Sequence, residues 1–264
     1  MMRRVLVVCA MAWLSALVVA PVAPAQEARF EGRTLTEWTA ALADPQTRVR
    51  RQAVAALMTF GPAALPGLTQ ALADADPEVR LAGAKGLGRL GAAARPAVPA
   101  LVEAMKDRVG IVRRVAALSL GSIRPSTPEA IAALVRALGD PDAAVLDNAA
   151  HSLLDLGQAA VPALTEALKH PDGGVRAGAA VALTAGVQFG QFRPVSAETV
   201  RALIEALKDS QPDVRDEVAR VLAEVGPTGR VALGPLREVA QRDPVESVRR
   251  TAERAIERLE SQNP

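Results

Sequence analysis

The 264-residue chain has one cysteine, two histidines and no tyrosine, and its aromatics are four Phe and two Trp. So little cysteine excludes a disulfide-stapled scaffold, and so few His and Cys exclude a cluster of soft metal ligands. The shortage of aromatics argues against a stacking platform for single-stranded nucleic acid. Charge of one sign is missing too: 31 Lys and Arg stand against 29 Asp and Glu, a formal net charge of +2. That is no basic footprint for a nucleic acid. The chain lacks a G-x-S-x-G elbow, a P-loop, an H-E-x-x-H pair and paired cysteines, the common local signatures of catalytic and phosphate-binding sites. What it has is apolar residues, 50% of the total, supplied by Ala, Leu and Val. They argue against disorder. At this length a chain buries about 70–75% of its unfolded surface without disulfides.

Residues 1–25 read as a secretory signal peptide. Arg3 and Arg4 precede a near-continuous apolar run from Val5 to Ala20, and Pro21, Pro24 and the small-x-small step Ala23-Pro24-Ala25 precede Gln26. This is the three-part layout of an export signal. The run falls short of the ~20 residues a spanning helix needs, so cleavage near Ala25/Gln26 is expected rather than a kept anchor. The mature chain would then be periplasmic or extracellular. Cys9 lies inside the run, which would leave the mature chain without a thiol.

The rest repeats. Val-Arg recurs at Val49-Arg50, Val79-Arg80, Val112-Arg113, Val175-Arg176, Val214-Arg215 and Val248-Arg249, with Val145-Leu146 in the remaining slot. Eight residues after each valine stands Leu57, Leu87, Leu120, Leu153, Leu183, Leu222 or Ile256, and four after it a small or branched residue. Steps of four keep one face of a helix. Gly61, Gly91, Gly157 and Gly226 stand twelve residues on, as helix stops expected in the left-handed cap conformation. These B helices are expected near 48–60, 77–91, 110–123, 142–156, 173–187, 212–225 and 245–260. A shorter pattern precedes each, as in Val98-Pro99-Ala100-Leu101 and Val161-Pro162-Ala163-Leu164, with proline where a missing N–H costs little. The chain is therefore expected to be all-α, with seven helix pairs stacked over 34–260, a short extension at 26–33 and a tail at 261–264. No single pair could bury its stripe alone.

One further spacing recurs. An aspartate stands six residues before the arginine at Asp44/Arg50, Asp74/Arg80, Asp107/Arg113, Asp209/Arg215 and Asp243/Arg249. The pattern lapses twice, where Asp140 precedes Leu146 and His170 precedes Arg176. Together with the adjacent prolines and the Val…Leu register, this resembles the HEAT repeat in its bacterial HEAT-like, bilin-lyase-type form, across residues 34–260. The resemblance implies a right-handed α-solenoid of the armadillo/HEAT kind in which Asp and Arg bridge adjacent repeats as a structural ladder. It also implies a concave side lined by the B helices, where partners sit. A lyase-type enzyme or accessory factor is the alternative it raises. HEAT-like DNA glycosylases are another catalytic relative, but they need DNA and an intracellular address. Gly32-Arg33-Thr34-Leu35-x-x-Trp38 looks like the opening of exported members.

Thr34-x-x-Glu37 forms a capping box, and Trp38 behind it reads as a plug over the open end of the core or, alternatively, as a binding anchor. Glu and Arg alternate along the last helix, as the polar cap of a repeat array requires. His151, Ser152 and Asp155 resemble a catalytic set, but Ser152 sits about 100° around the helix from His151 at a buried position; a surface His151–Asp155 pair is the expectation. Gly83, Gly86 and Gly88 read as close-packing positions, and His170 as a stand-in for a ladder aspartate. The outward B positions, Ala55, Lys85, Leu118, His151, Val181, Arg220 and Arg254, carry neither one sign of charge nor an aromatic stripe. Nucleic acid and membrane are therefore not expected; by elimination the partner is a protein, the chain a monomer without cofactor or metal. The one irregular stretch, Gly186–Val195, lengthens the fifth repeat and holds Phe189, Phe192 and Arg193. These are the candidate partner contacts, unless the two Phe side chains fold back over the gap between repeats.

Overall fold

A computed structural model describes residues 28–261; the export signal expected at 1–25, with Cys9, lies outside the described residues. A small hairpin comes first, β1 (Arg29–Phe30) antiparallel to β2 (Arg33–Thr34). It occupies the stretch expected to be a plain extension. Glu31 and Gly32 at its tip both have positive φ, 48° and 78°, as a two-residue hairpin turn of the right twist demands.

Seven helix pairs follow. The first helices are α1 (Leu35–Ala40), α3 (Leu65–Ala71), α5 (Val98–Ala104), α7 (Pro128–Ala137), α9 (Val161–Ala167), α11 (Ala197–Ala206) and α13 (Leu233–Arg242). The second are α2 (Thr47–Leu57), α4 (Pro77–Leu90), α6 (Gly110–Ile123), α8 (Ala143–Leu156), α10 (Gly173–Gln188), α12 (Pro212–Glu224) and α14 (Glu246–Ser261). α2 stops at Leu57, and a 3-10 segment, Met58–Ala64, completes the expected span. Odd helices form one layer and even helices the other, each pair repeating the last.

Local chemistry places the ends. Thr34 and Glu37 cap α1 reciprocally. Asp76, Asp142 and Asp172 accept backbone N–H groups at the starts of α4, α8 and α10, and Ser196 does so for α11. Each satisfies donors that the first helical turn leaves orphaned. Gly61, Gly91, Gly157 and Gly226 do have positive φ, but their ψ values run from −133° to −154°. They sit in the mirror-image extended region rather than the left-handed helical one, which only glycine enters cheaply. The chain there turns outward into a 3-10 segment instead of coiling back. The fifth B helix has Val187 at that position, and α10 accordingly runs on to Gln188.

The core is a single stripe between the layers, from Trp38 and Leu57 through Leu87, Leu120, Leu153, Leu183 and Leu222 to Leu259. Small residues let the even helices close on one another. A Cβ at Gly88 would stand 2.6 Å from Ser119 Oγ, and Gly121 takes Ser152 in the same way. Each serine donates to a carbonyl of the preceding even helix, Ser119 to Ala84 O at 2.8 Å and Ser152 to Ala117 O at 2.9 Å. The corresponding position of α8 carries half-buried Leu154, and there α8 and α10 touch far less than α4, α6 and α8 touch one another.

Candidate functional site

The ladder is the most regular polar feature of the fold. Arg50 donates Nε–H to Asp74 Oδ2 at 2.7 Å and Nη2–H to Asp74 Oδ1 at 2.9 Å. The same two-pronged geometry joins Arg80 to Asp107, Arg113 to Asp140, Arg176 to Asp209 and Arg215 to Asp243, with Nε···Oδ2 between 2.6 and 2.8 Å. Each arginine therefore reaches the aspartate of the next repeat, while its own repeat's aspartate lies six residues back and offers only a main-chain carbonyl, as Asp44 O does to Arg50 Nη1 at 3.0 Å. Each carboxylate also accepts the N–H two residues on, as Asp74 does from Asp76. Paired forks of this kind are the stronger class of ion pair. Burial pushes the carboxyls of Asp74, Asp107 and Asp209 upward, but the guanidinium and backbone hydrogen bonds outweigh it and hold all three below the usual value. In Asp140 and Asp243 the arginine bonds are the largest influence, and those carboxyls too are lowered. Among the described residues, Asp44 at one end and Arg249 at the other have no partner across a repeat boundary.

The two lapses in the pattern prove to be halves of a single missing rung. An arginine at position 146 would reach an aspartate at position 170; Leu146 and His170 stand there instead. His170 keeps the local part of the role, for its Nδ1 accepts the Asp172 N–H at 3.1 Å and its carbonyl accepts Arg176 Nη1–H at 2.9 Å. The bridge between repeats is what is lost.

The irregular loop divides its three candidates. Phe192 is buried, 1% exposed, and lies against Gly186, where any Cβ would collide with the ring. Arg193 donates Nε–H to Val187 O and Nη2–H to Glu224 O, so one cation meets the carbonyl ends of both α10 and α12. Both residues tie repeats five and six together; Phe192 is wholly buried in doing so, while the Arg193 side chain stays exposed. Phe189 is 73% exposed. At the other end Trp38 is 2% exposed, its Nε1–H bonded to Phe30 O at 2.9 Å and its ring covered by the Arg33 guanidinium. It fills the end of the core rather than offering an anchor.

The His151, Ser152 and Asp155 set does not assemble. His151 Nδ1 lies 2.7 Å from Asp147 O rather than bonding Asp155, Ser152 is buried against Ala117 O, and Asp155 faces Arg124 at 3.9 Å. Gly83, Gly86 and Gly88 are close-packing positions: a Cβ at Gly83 would meet Ala71, and one at Gly86 would meet Leu68. On the outward face of the even helices, Leu118 and Val181 are exposed beside His151.

The sequence pattern of HEAT repeats matches residues 35–121, 98–184 and 162–257. This chain belongs to the HEAT-repeat family. Its fold is shared with the archaeal HEAT-like repeats protein from Thermococcus onnurineus NA1, at 13% identity and a TM-score of 0.50 over 87% of this chain and 98% of that one. It is shared with importin beta at 15% identity and a TM-score of 0.59, over 87% of this chain and 36% of that one. The complex of CpcE and CpcF of phycocyanin lyase from Nostoc sp. PCC7120 is more distant in shape, with a TM-score of 0.44 at 21% identity over 93% of this chain and 99% of that one. No curated protein sequence matches the chain. Within this HEAT array, sequence reasoning missed the role of Arg193 and the notch at Gly186. The signal for the notch was present: a glycine in place of a bulkier residue near the end of a B helix, six residues before an aromatic.

Proposed function

We propose that this HEAT-repeat protein is a non-catalytic scaffold that binds another protein outside the cytoplasm. One observation carries the reading: the polar groups that could do chemistry are occupied in holding the stack, while large apolar side chains stay exposed on the outward face of the even helices. Ser152 and Ser119 bond the neighbouring helix, the ladder carboxylates are held by arginine, and His151 is bonded to its own helix. Leu118 at 51% and Val181 at 43% exposure face solvent beside them. Both lie in the outward row of the even helices, which repeat proteins of this kind present as one extended binding face. Action outside the cytoplasm is supported by the export signal read at residues 1–25. The test is cross-linking in the native host followed by mass spectrometry, with the N-terminus of the isolated protein sequenced alongside. The expected result is a specific protein adduct and a chain beginning near Gln26. A covalently bound bilin, or transfer of one, would replace the scaffold by a lyase-type role.

A further inference from the structure

Among the even helices, α10 has an uncharged outer face. Its one charged side chain, Arg176, is turned into the ladder against Asp209. Ala177, Val181, Ala185 and Phe189 follow at steps of four, and Phe189 N–H still bonds Ala185 O, so they form one ridge about 18 Å long. A helix apolar on every side is normally covered on every side. This one leaves Val181 at 43% and Phe189 at 73% exposure. The helices flanking the ridge are acidic. α8 contains no Lys or Arg and presents Asp147 and Asp155 to solvent, with the exposed Arg124 guanidinium 3.9 Å from Asp155 on the side toward α6. α12 presents exposed Asp213 beside Asp216 and Glu217, with Arg220 its one outward cation.

We propose that the α10 ridge is the docking site for a cationic amphipathic helix of a partner protein. The apolar stripe of that helix covers Val181 and Phe189, and its Lys or Arg side chains meet Asp147 and Asp155 on one side and Asp213 on the other. This deepens the scaffold reading and rests on it. As in other amphipathic-helix recognition, apolar anchors give affinity and flanking charges give register and rate. An anionic lipid surface is disfavoured because the acidic flanks would repel it. A second copy packed ridge to ridge is disfavoured because it would bring acidic flanks against acidic flanks.

The test titrates the purified protein, by fluorescence anisotropy, into a labelled Leu/Lys amphipathic peptide of about 18 residues, its Leu/Glu counterpart and a Leu→Ser control. The Leu/Lys peptide should bind with salt-dependent affinity, and the other two should not. Val181→Ser/Phe189→Ser should weaken binding roughly tenfold or more, and Asp147→Asn/Asp155→Asn should weaken it several-fold and flatten the salt dependence. Circular dichroism confirms that each variant is folded. The proposal falls if the Leu/Lys peptide does not bind, if the Leu/Glu peptide binds as well, or if the ridge variant binds normally. It also falls if sedimentation shows a dimer that the ridge variant dissolves, or if phosphatidylserine-containing vesicles bind through the ridge, since the occupant would then be a second copy or a lipid surface. Cross-linking separates the two readings: the same partners captured by wild type and ridge variant overturn the docking site and leave the scaffold. No partner captured by either, with peptide binding intact, counts against the scaffold alone.

Discussion

Repeats three and four meet through the same helices, in the same order, as repeats four and five, yet the two junctions are built differently. At the first, Arg113 and Asp140 form a rung at 2.8 Å, and Gly121 admits Ser152, whose hydroxyl bonds Ala117 O. At the second, Leu146 and His170 leave the rung unmade, Leu154 fills the slot that Gly121 and Gly88 keep open, and Ala182 stands where Ser152 and Ser119 supply a bond. The polar tie and the close approach are lost together. Leu154 is far bulkier than the glycines whose place it takes, and Ala182 has no hydroxyl to donate. In a one-dimensional stack, cohesion is a property of each interface rather than of the whole. Among the described residues, the boundary between repeats four and five is therefore the one internal boundary without a rung, although the apolar core runs through it unbroken.

The strongest way to break the comparison is to damage an intact rung. Arg215→Ala leaves Asp243, whose side chain is 4% exposed, as a buried charge without its partner. A loss of about 3 kcal/mol is expected, read by urea unfolding, and an unchanged midpoint would refute the ladder as a source of stability. Next in size is Gly121→Ala, whose methyl would drive into Ser152; overpacking of this sort costs about 2 kcal/mol. The comparison can also be sharpened by rebuilding what is missing. Leu146→Arg/His170→Asp should show a favourable coupling of about 1 kcal/mol in a double-mutant cycle. It should also slow hydrogen exchange at the start of α10, which in the wild type is expected to exchange before the start of α6. The smallest effect is in acid. The ladder carboxyls titrate below their ordinary value when folded. Their contribution is therefore complete above about pH 4, the unfolded value, and is lost as pH falls through the folded values. The rebuilt chain, with one more such carboxylate, should lose stability more steeply in a pH titration followed by circular dichroism.

Most of the architecture could be read directly, because Val…Leu steps of four and a terminal glycine are one-helix signals that need no knowledge of neighbours. The hairpin at Arg29–Thr34 escaped because two-residue strands leave no periodicity. The single missing rung looked like two separate lapses, at Leu146 and at His170, since the bond joins different repeats and the six-residue spacing within a repeat is only its shadow. The loop was recognised as irregular, yet Phe189 and Phe192 are equally apolar in sequence and opposite in fate. What separates them is Gly186, whose missing Cβ makes a seat for one ring only. The candidate docking ridge was half visible: Val181 stood in the outward row, but its meaning depends on the acids of α8 and α12 lying to either side, and lateral neighbours are what a linear sequence conceals.

Every repeat except the fourth, which lacks a donor, and the fifth, which lacks an acceptor, brings the acceptor of one rung and the donor of the next, so an intact array can lengthen or shorten by whole repeats and heal itself at the seam. The defect obeys the same arithmetic. It runs from Leu146 to Val175, thirty residues, the period of the shorter repeats. Splicing that stretch out would set Val145 directly before Arg176 and bring Asp140 six residues ahead of that arginine. The fault in the ladder is thus a removable cassette, and a chain lacking it would be a six-repeat array with every internal rung in place.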